Sequence, residues 1–247
     1  MRPMNDRTDS PAPTRGVLYA LLAVLAPALG GSTEPWARGT LLVATGLVLI
    51  VAPPRRSPGR AWLALGGALL ALALTAFLPV AWFGLPQWRA LAAPLALPLG
   101  RMITPQPWVS VEAAGQFFAA LVFGLALAAH RWEHRERNAA AQLYGFAILA
   151  LAILALVAVR LTWHVPWWPA TGNSPTDFGF FPNRNQTANV FALGGIVIAG
   201  LAFGALSRRK LGGYGWCVGL LVVGAALIAA QSRAGVLLFL GGVAVWV

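Results

Sequence analysis

The chain has 247 residues, of which 58% are apolar and only 10% charged, with a formal net charge of +11. Several apolar runs approach the ~20 residues that cross a bilayer, so the composition is that of an integral membrane protein. Its cations lie in short segments between those runs, not in a basic stripe interleaved with exposed aromatics, which argues against nucleic acid as a partner. Cys217, the one cysteine, sits inside an apolar run, which excludes an intrachain disulfide and argues against a thiolate metal site.

Residues 1–15 are polar, proline-bearing and arginine-bearing, and are expected to be a disordered cytoplasmic tail; residues 16–247 form the membrane domain. Gly16–Gly31 is the first apolar run. Its Ala26-Pro27-Ala28 loosely resembles a leader-cleavage site, but Pro27 and the many later spans point to an uncleaved helix. A loop follows at 32–39, with Glu34, Pro35, Trp36 and Arg38, and then a second, short run at Thr40–Ala52 that can borrow Trp36–Gly39. Pro53 to Arg60 is a basic turn. Trp62–Phe83 is the third run and ends in a belt at Trp82 and Phe83. Gly84–Glu112 is proline-rich, and its apolar core at 90–99 is too short to cross, so an interfacial or re-entrant segment is expected.

Ala113–His130 is the fourth run. After it, His130 to Arg137 holds the densest charge. If helical, His130 and His134 have the spacing of a metal pair; interleaved arginines oppose a cation and no third ligand is evident, so a solvated cytoplasmic turn is the expectation and no metal site. Ala139–Val159 is the fifth run, followed by the long polar stretch Arg160–Asn185. Val190–Leu206 is the sixth, Ser207 to Lys210 a basic turn, and Tyr214–Ala230 the seventh. The last run, Val236–Val247, has about 12 residues, too few for a crossing, and reads as a helix cut short. The expected fold is therefore an all-α polytopic integral membrane helix bundle of about eight transmembrane helices, the last incomplete.

The polar turn before the sixth run is the most distinctive stretch. It runs from Asp177 to Asn189, with Pro182 breaking the backbone, Asn183 or Asn185 able to cap the next helix, and Arg184 beside the cap. A fixed cation at a helix N-terminus makes an anion site, most naturally for phosphate. A snorkelling arginine at the membrane surface is the alternative. With the N-terminus inside, twelve cations fall on inner segments and six on outer ones, which supports that orientation. Arg184 and Arg233 are then on the outer face, where the bias disfavours them. Trp163, Trp167 and Trp168 are on that face too, as belt residues or as a platform for sugar rings.

Phe178-Gly-Phe-Phe-Pro-Asn-Arg-Asn185 before a span, and Gln231-Ser-Arg-Ala-Gly235 one helical hairpin later, resemble the paired motifs of the O-antigen ligase and polymerase family. The match covers residues 177–247; upstream only the multi-span pattern agrees. Gln186-Thr187 stands where many members carry His-Phe, and Ala234 replaces a glycine. The resemblance implies an inner-membrane enzyme whose site faces the periplasm. It would move glycan from a polyprenyl-diphosphate carrier to a hydroxyl of an acceptor lipid or glycan, without nucleotide, metal or other cofactor. Arg184 and Arg233 are the implied catalytic residues, and Asn183, Asn185, Ser232 and His164 the implied substrate contacts. The general base is expected in a further region, so the chain alone is expected to be inactive. A transporter or a non-catalytic binder of lipid-linked sugar is the competing class; an internal repeat or mid-span charge would mark the transporter, and the spans carry neither.

Overall fold

The structure, a computed structural model, describes residues 14–54, 56–83, 100–168 and 178–246. The expected tail up to residue 13, the core 90–99 of the proline-rich segment, and Arg89 and Asp177 lie outside the described residues. Among the described residues the regular elements are helical: α1 (Thr14–Ala28), α2 (Pro35–Val51), α3 (Arg60–Leu74), α4 (Pro107–Ala129), α5 (His134–Arg160), α6 (Arg184–Leu206), α7 (Gly212–Ala229) and α8 (Arg233–Trp246). Each corresponds to one of the apolar runs.

The number of spans is corrected. Five stretches are long and apolar enough to cross a membrane: Arg60–Phe77, Pro107–Ala129, His134–Arg160, Arg184–Leu206 and Gly212–Ala229. At 1.5 Å rise per residue, the 15 residues of α1 and 17 of α2 reach only ~22–26 Å, short of a ~30 Å hydrocarbon core. In α1 the apolar run continues past Ala28, but the helix stops there and becomes a 3-10 turn at Gly30–Ser32. The borrowed start of α2 is real, at Pro35, yet does not lengthen it enough. The protein is thus a helical membrane protein of five span-length helices and three shorter apolar ones among its described residues.

Two turns are shorter than the sequence suggests. Pro107 occupies the first position of α4, where its missing N–H costs nothing, so residues 107–112 belong to the span and not to an interfacial segment. His130 lies just past the end of α4 and His134 opens α5. The two histidines therefore never share a helical face, and the His134 ring nitrogens lie 3.4 Å from Arg137 Nη2 and 3.0 Å from Asn138 Nδ2.

The chain forms two compact units. One comprises Met1–Ala44 with Trp132–Val247, and the other Thr45–Arg131. In the second unit α3 packs on α4, with Gly66 facing Leu121 and Leu125, and the backbone at 76–80 pairs with 101–104. In the first unit α1 lies along α5. One end of α1 is fixed where Gly16 N–H donates to the buried Glu136 carboxylate at 2.7 Å, and the other where Trp167 and Trp168 donate their indole N–H groups to Ala28 O at 3.1 and 3.3 Å. Around α5, α6 and α7 a core of Ile148, Ala152, Phe191, Ile198 and Val223 is fully buried. In lipid such packing is held by close van der Waals fit, which small residues at the helix crossings permit.

The ten described cations of the first unit divide unevenly between its ends. Arg15, Arg135, Arg137, Arg208, Arg209 and Lys210 occupy one; Arg38, Arg160, Arg184 and Arg233 occupy the other.

Candidate functional site

The end of the first unit with fewer cations carries the polar turn singled out by sequence. Phe178 and Phe180 turn inward, away from the surface. Gly179 between them has φ of 97°, a conformation an L side chain rarely adopts, and a Cβ there would strike the Thr187 side chain. Phe180 meets Trp168 edge-on at 5.5 Å and Phe191 at 5.3 Å, and Phe178 lies 6.3 Å from Phe191. This aromatic cluster ties the turn into the core between the helices. Trp168 is 2% exposed, so it is neither a belt residue nor a sugar platform; Trp163 and Trp167 are about half exposed and remain on the surface.

The turn is closed by its own polar groups. Phe181 N–H donates to the hydroxyl of the fully buried Thr187 at 3.3 Å. Asn183 caps α6, its Oδ1 accepting from Asn185 N–H at 2.9 Å, so of the two candidate caps Asn183 is used and Asn185 lies in the first turn. Arg184 is therefore the first residue of α6. The second motif repeats the pattern. Ser232 is buried, its Oγ accepts from Gly235 N–H at 3.2 Å and its carbonyl from Val236 N–H at 3.1 Å, and Arg233 is the first residue of α8.

These two helix starts lie side by side. A Cβ on Gly235 would come within 2.7 Å of Ala188 Cβ, Gly195 faces Phe239, and Gly242 faces Ile196. Both chains advance together along this seam, so α6 and α8 are parallel and their N-termini share one end. Across that end Arg184 Nη1 donates to Gln231 Oε1 at 3.3 Å. Arg184 is half-buried; Asn183, Asn185 and Arg233 are exposed. Two helix N-termini, each opened by an arginine, thus meet at one end of the seam, an arrangement suited to an anion with several oxygens.

The other candidates are placed differently. His164 is exposed in the separate turn 161–168, at the same end of the unit. Arg38 donates through Nε and Nη2 to Thr33 O at 3.2 and 2.8 Å, closing the start of α2. Sequence reasoning missed Gln231, Thr187 and Gly235 as parts of the site. The signal for Gly235 was its place in the second motif, whereas the Gln231 and Thr187 contacts depend on the fold. The chain matches no family model, no curated protein and no solved structure.

Proposed function

We propose that this chain is the lipid-diphosphate-gripping part of a membrane glycan transferase of the O-antigen ligase and polymerase type. The observation that carries the reading is the parallel pairing of α6 with α8, each beginning with an arginine behind a side-chain cap. In the proposed reaction an acceptor hydroxyl oxygen attacks the anomeric carbon of the carrier-linked sugar. The bond from that carbon to the diphosphate oxygen breaks, its electron pair stays on that oxygen, and the acceptor proton passes to a base. The leaving lipid diphosphate gains one negative charge. Arg184 and Arg233 stabilise it through bidentate contacts, with the helix amides of α6 and α8 adding fixed dipoles that need no reorganisation. Asn183 and Asn185 offer amide N–H groups beside them, and Ser232 holds the start of α8 in place. His164, exposed in the turn 161–168 at this end of the unit, is the proposed contact on the acceptor side of the reaction.

The orientation that the reading needs places the six-cation end of the first unit in the cytoplasm and the arginine pair on the periplasmic side of the inner membrane. A cysteine introduced at Thr162 in a Cys217→Ser background should react with a membrane-impermeant maleimide added to intact cells from outside, and one introduced at Ser207 should not. The opposite pattern overturns the sidedness.

Binding tests the chemistry directly. The chain in lipid nanodiscs should bind polyprenyl diphosphate more tightly than polyprenyl monophosphate by about ten-fold or more, since the second phosphate adds charge and oxygens for the second guanidinium. Equal affinity for the two lipids would show a general headgroup surface instead.

A further inference from the structure

Three helices of the first unit end on a residue with a side chain in the left-handed region. Thr162 follows α5 with φ of 51°, Arg209 follows α6 with 53°, and Gln231 follows α7 with 50°. Glycine is the usual choice for such a helix-ending position because it has no Cβ to strain. At Gln231 the backbone N–H returns to Ile228 O at 3.0 Å, so the conformation closes α7 and leads directly into the Ser232 cap of α8. The side chain has a separate task. It reaches the start of α6, and its amide oxygen accepts from Arg184 Nη1.

We propose that Gln231 is the positioning residue of the arginine pair: it fixes the Arg184 guanidinium at the shared start of α6 and α8 without neutralising it. This rests on the proposed function above. A guanidinium has five N–H donors in a rigid fork. One is used by Gln231, which orients the plane and leaves the others for diphosphate oxygens. The acceptor is an uncharged amide, so the full positive charge of Arg184 remains for the ligand; a carboxylate at the same place would orient the fork equally well and cancel its charge.

The test separates this role from a structural one through the conformation of Gln231 itself. Glycine suits φ of 50° better than glutamine, so Gln231→Gly should leave the unfolding temperature of the nanodisc-embedded chain unchanged or raised. Its Kd for polyprenyl diphosphate should rise about three- to ten-fold, the effect of removing one hydrogen bond. In an Arg184→Ala background the same change should add nothing, because the two residues act as one unit. Gln231→Glu should weaken binding more than Gln231→Gly does. An unchanged Kd in Gln231→Gly, with Arg184→Ala still defective, overturns the positioning role and leaves the arginine site standing. A fall in unfolding temperature together with affinity, or a further loss in the Arg184→Ala background, overturns it as well by showing a structural role. A wild-type chain that does not distinguish diphosphate from monophosphate removes the site and this inference together.

Discussion

Replacing either Arg184 or Arg233 by alanine should reduce glycan transfer thirty- to a thousand-fold while leaving expression and membrane insertion intact. The measurement is glycan product in cells whose own gene copy carries the change. The size follows from the chemistry: removing one charge-assisted hydrogen bond from the developing negative charge in a dehydrated site costs about 2–4 kcal/mol of barrier. Lysine should restore activity only in part at either position, because an ammonium keeps the charge but lacks the planar fork that meets two phosphate oxygens at once. Arg160→Ala is the control. It removes a cation from the same end of the unit, from the last turn of α5, outside both motifs. Equal damage from Arg160→Ala would mean that the cations here serve as surface anchors, and the diphosphate site would be wrong.

The second large effect is expected at Gly235, which has no polar side chain to lose. A Cβ at this buried position would lie 2.7 Å from Ala188 Cβ and within 3.3 Å of the Ala188 backbone, neither of which can swing aside. Gly235→Val adds three carbons where there is no room for one. Overpacking of this kind costs about 1–3 kcal/mol and sometimes more. The unfolding temperature in detergent should fall by about 5–10 °C. Polyprenyl diphosphate binding should fall with it, since the two arginines share an end only while α6 and α8 are seated together. Gly215→Ala is the contrast. No atom stands within 4 Å of that Cβ, so helix propensity alone should leave stability unchanged or slightly raised. A Gly235→Val chain as stable as the wild type would mean that the close seam between α6 and α8 is not formed.

What the sequence revealed of this architecture follows the range of each interaction. The start of α6 was readable because Pro182, Asn183 and Arg184 are consecutive and a cap involves only the next few amides. The same holds for Ser232 and Gly235 at α8. Apolar runs located the eight helices of the described residues, but a run does not show where backbone geometry stops it, and so α1 and α2 were taken for spans they are too short to make. Trp168 illustrates a different difficulty. A tryptophan next to prolines after a span has the same local sequence whether it faces lipid headgroups or a core, and only the inward turn of Phe178 to Phe180 decides it. The Arg184–Gln231 bond joins residues 47 positions apart, beyond any local pattern.

The way α1 is held has a consequence for how the protein is made. Its first turn is satisfied by Glu136 and its last by Trp167 and Trp168, partners 120 and about 140 positions downstream. A ribosome working at ~5–20 residues per second needs several seconds to more than twenty to add that length, and throughout it α1 has neither partner. The whole of the second unit, Thr45–Arg131, is synthesised in that interval. Biogenesis of the first unit is therefore a matter of waiting: α1 must persist at the membrane, held by the insertion machinery or by lipid, until α5 arrives to receive it.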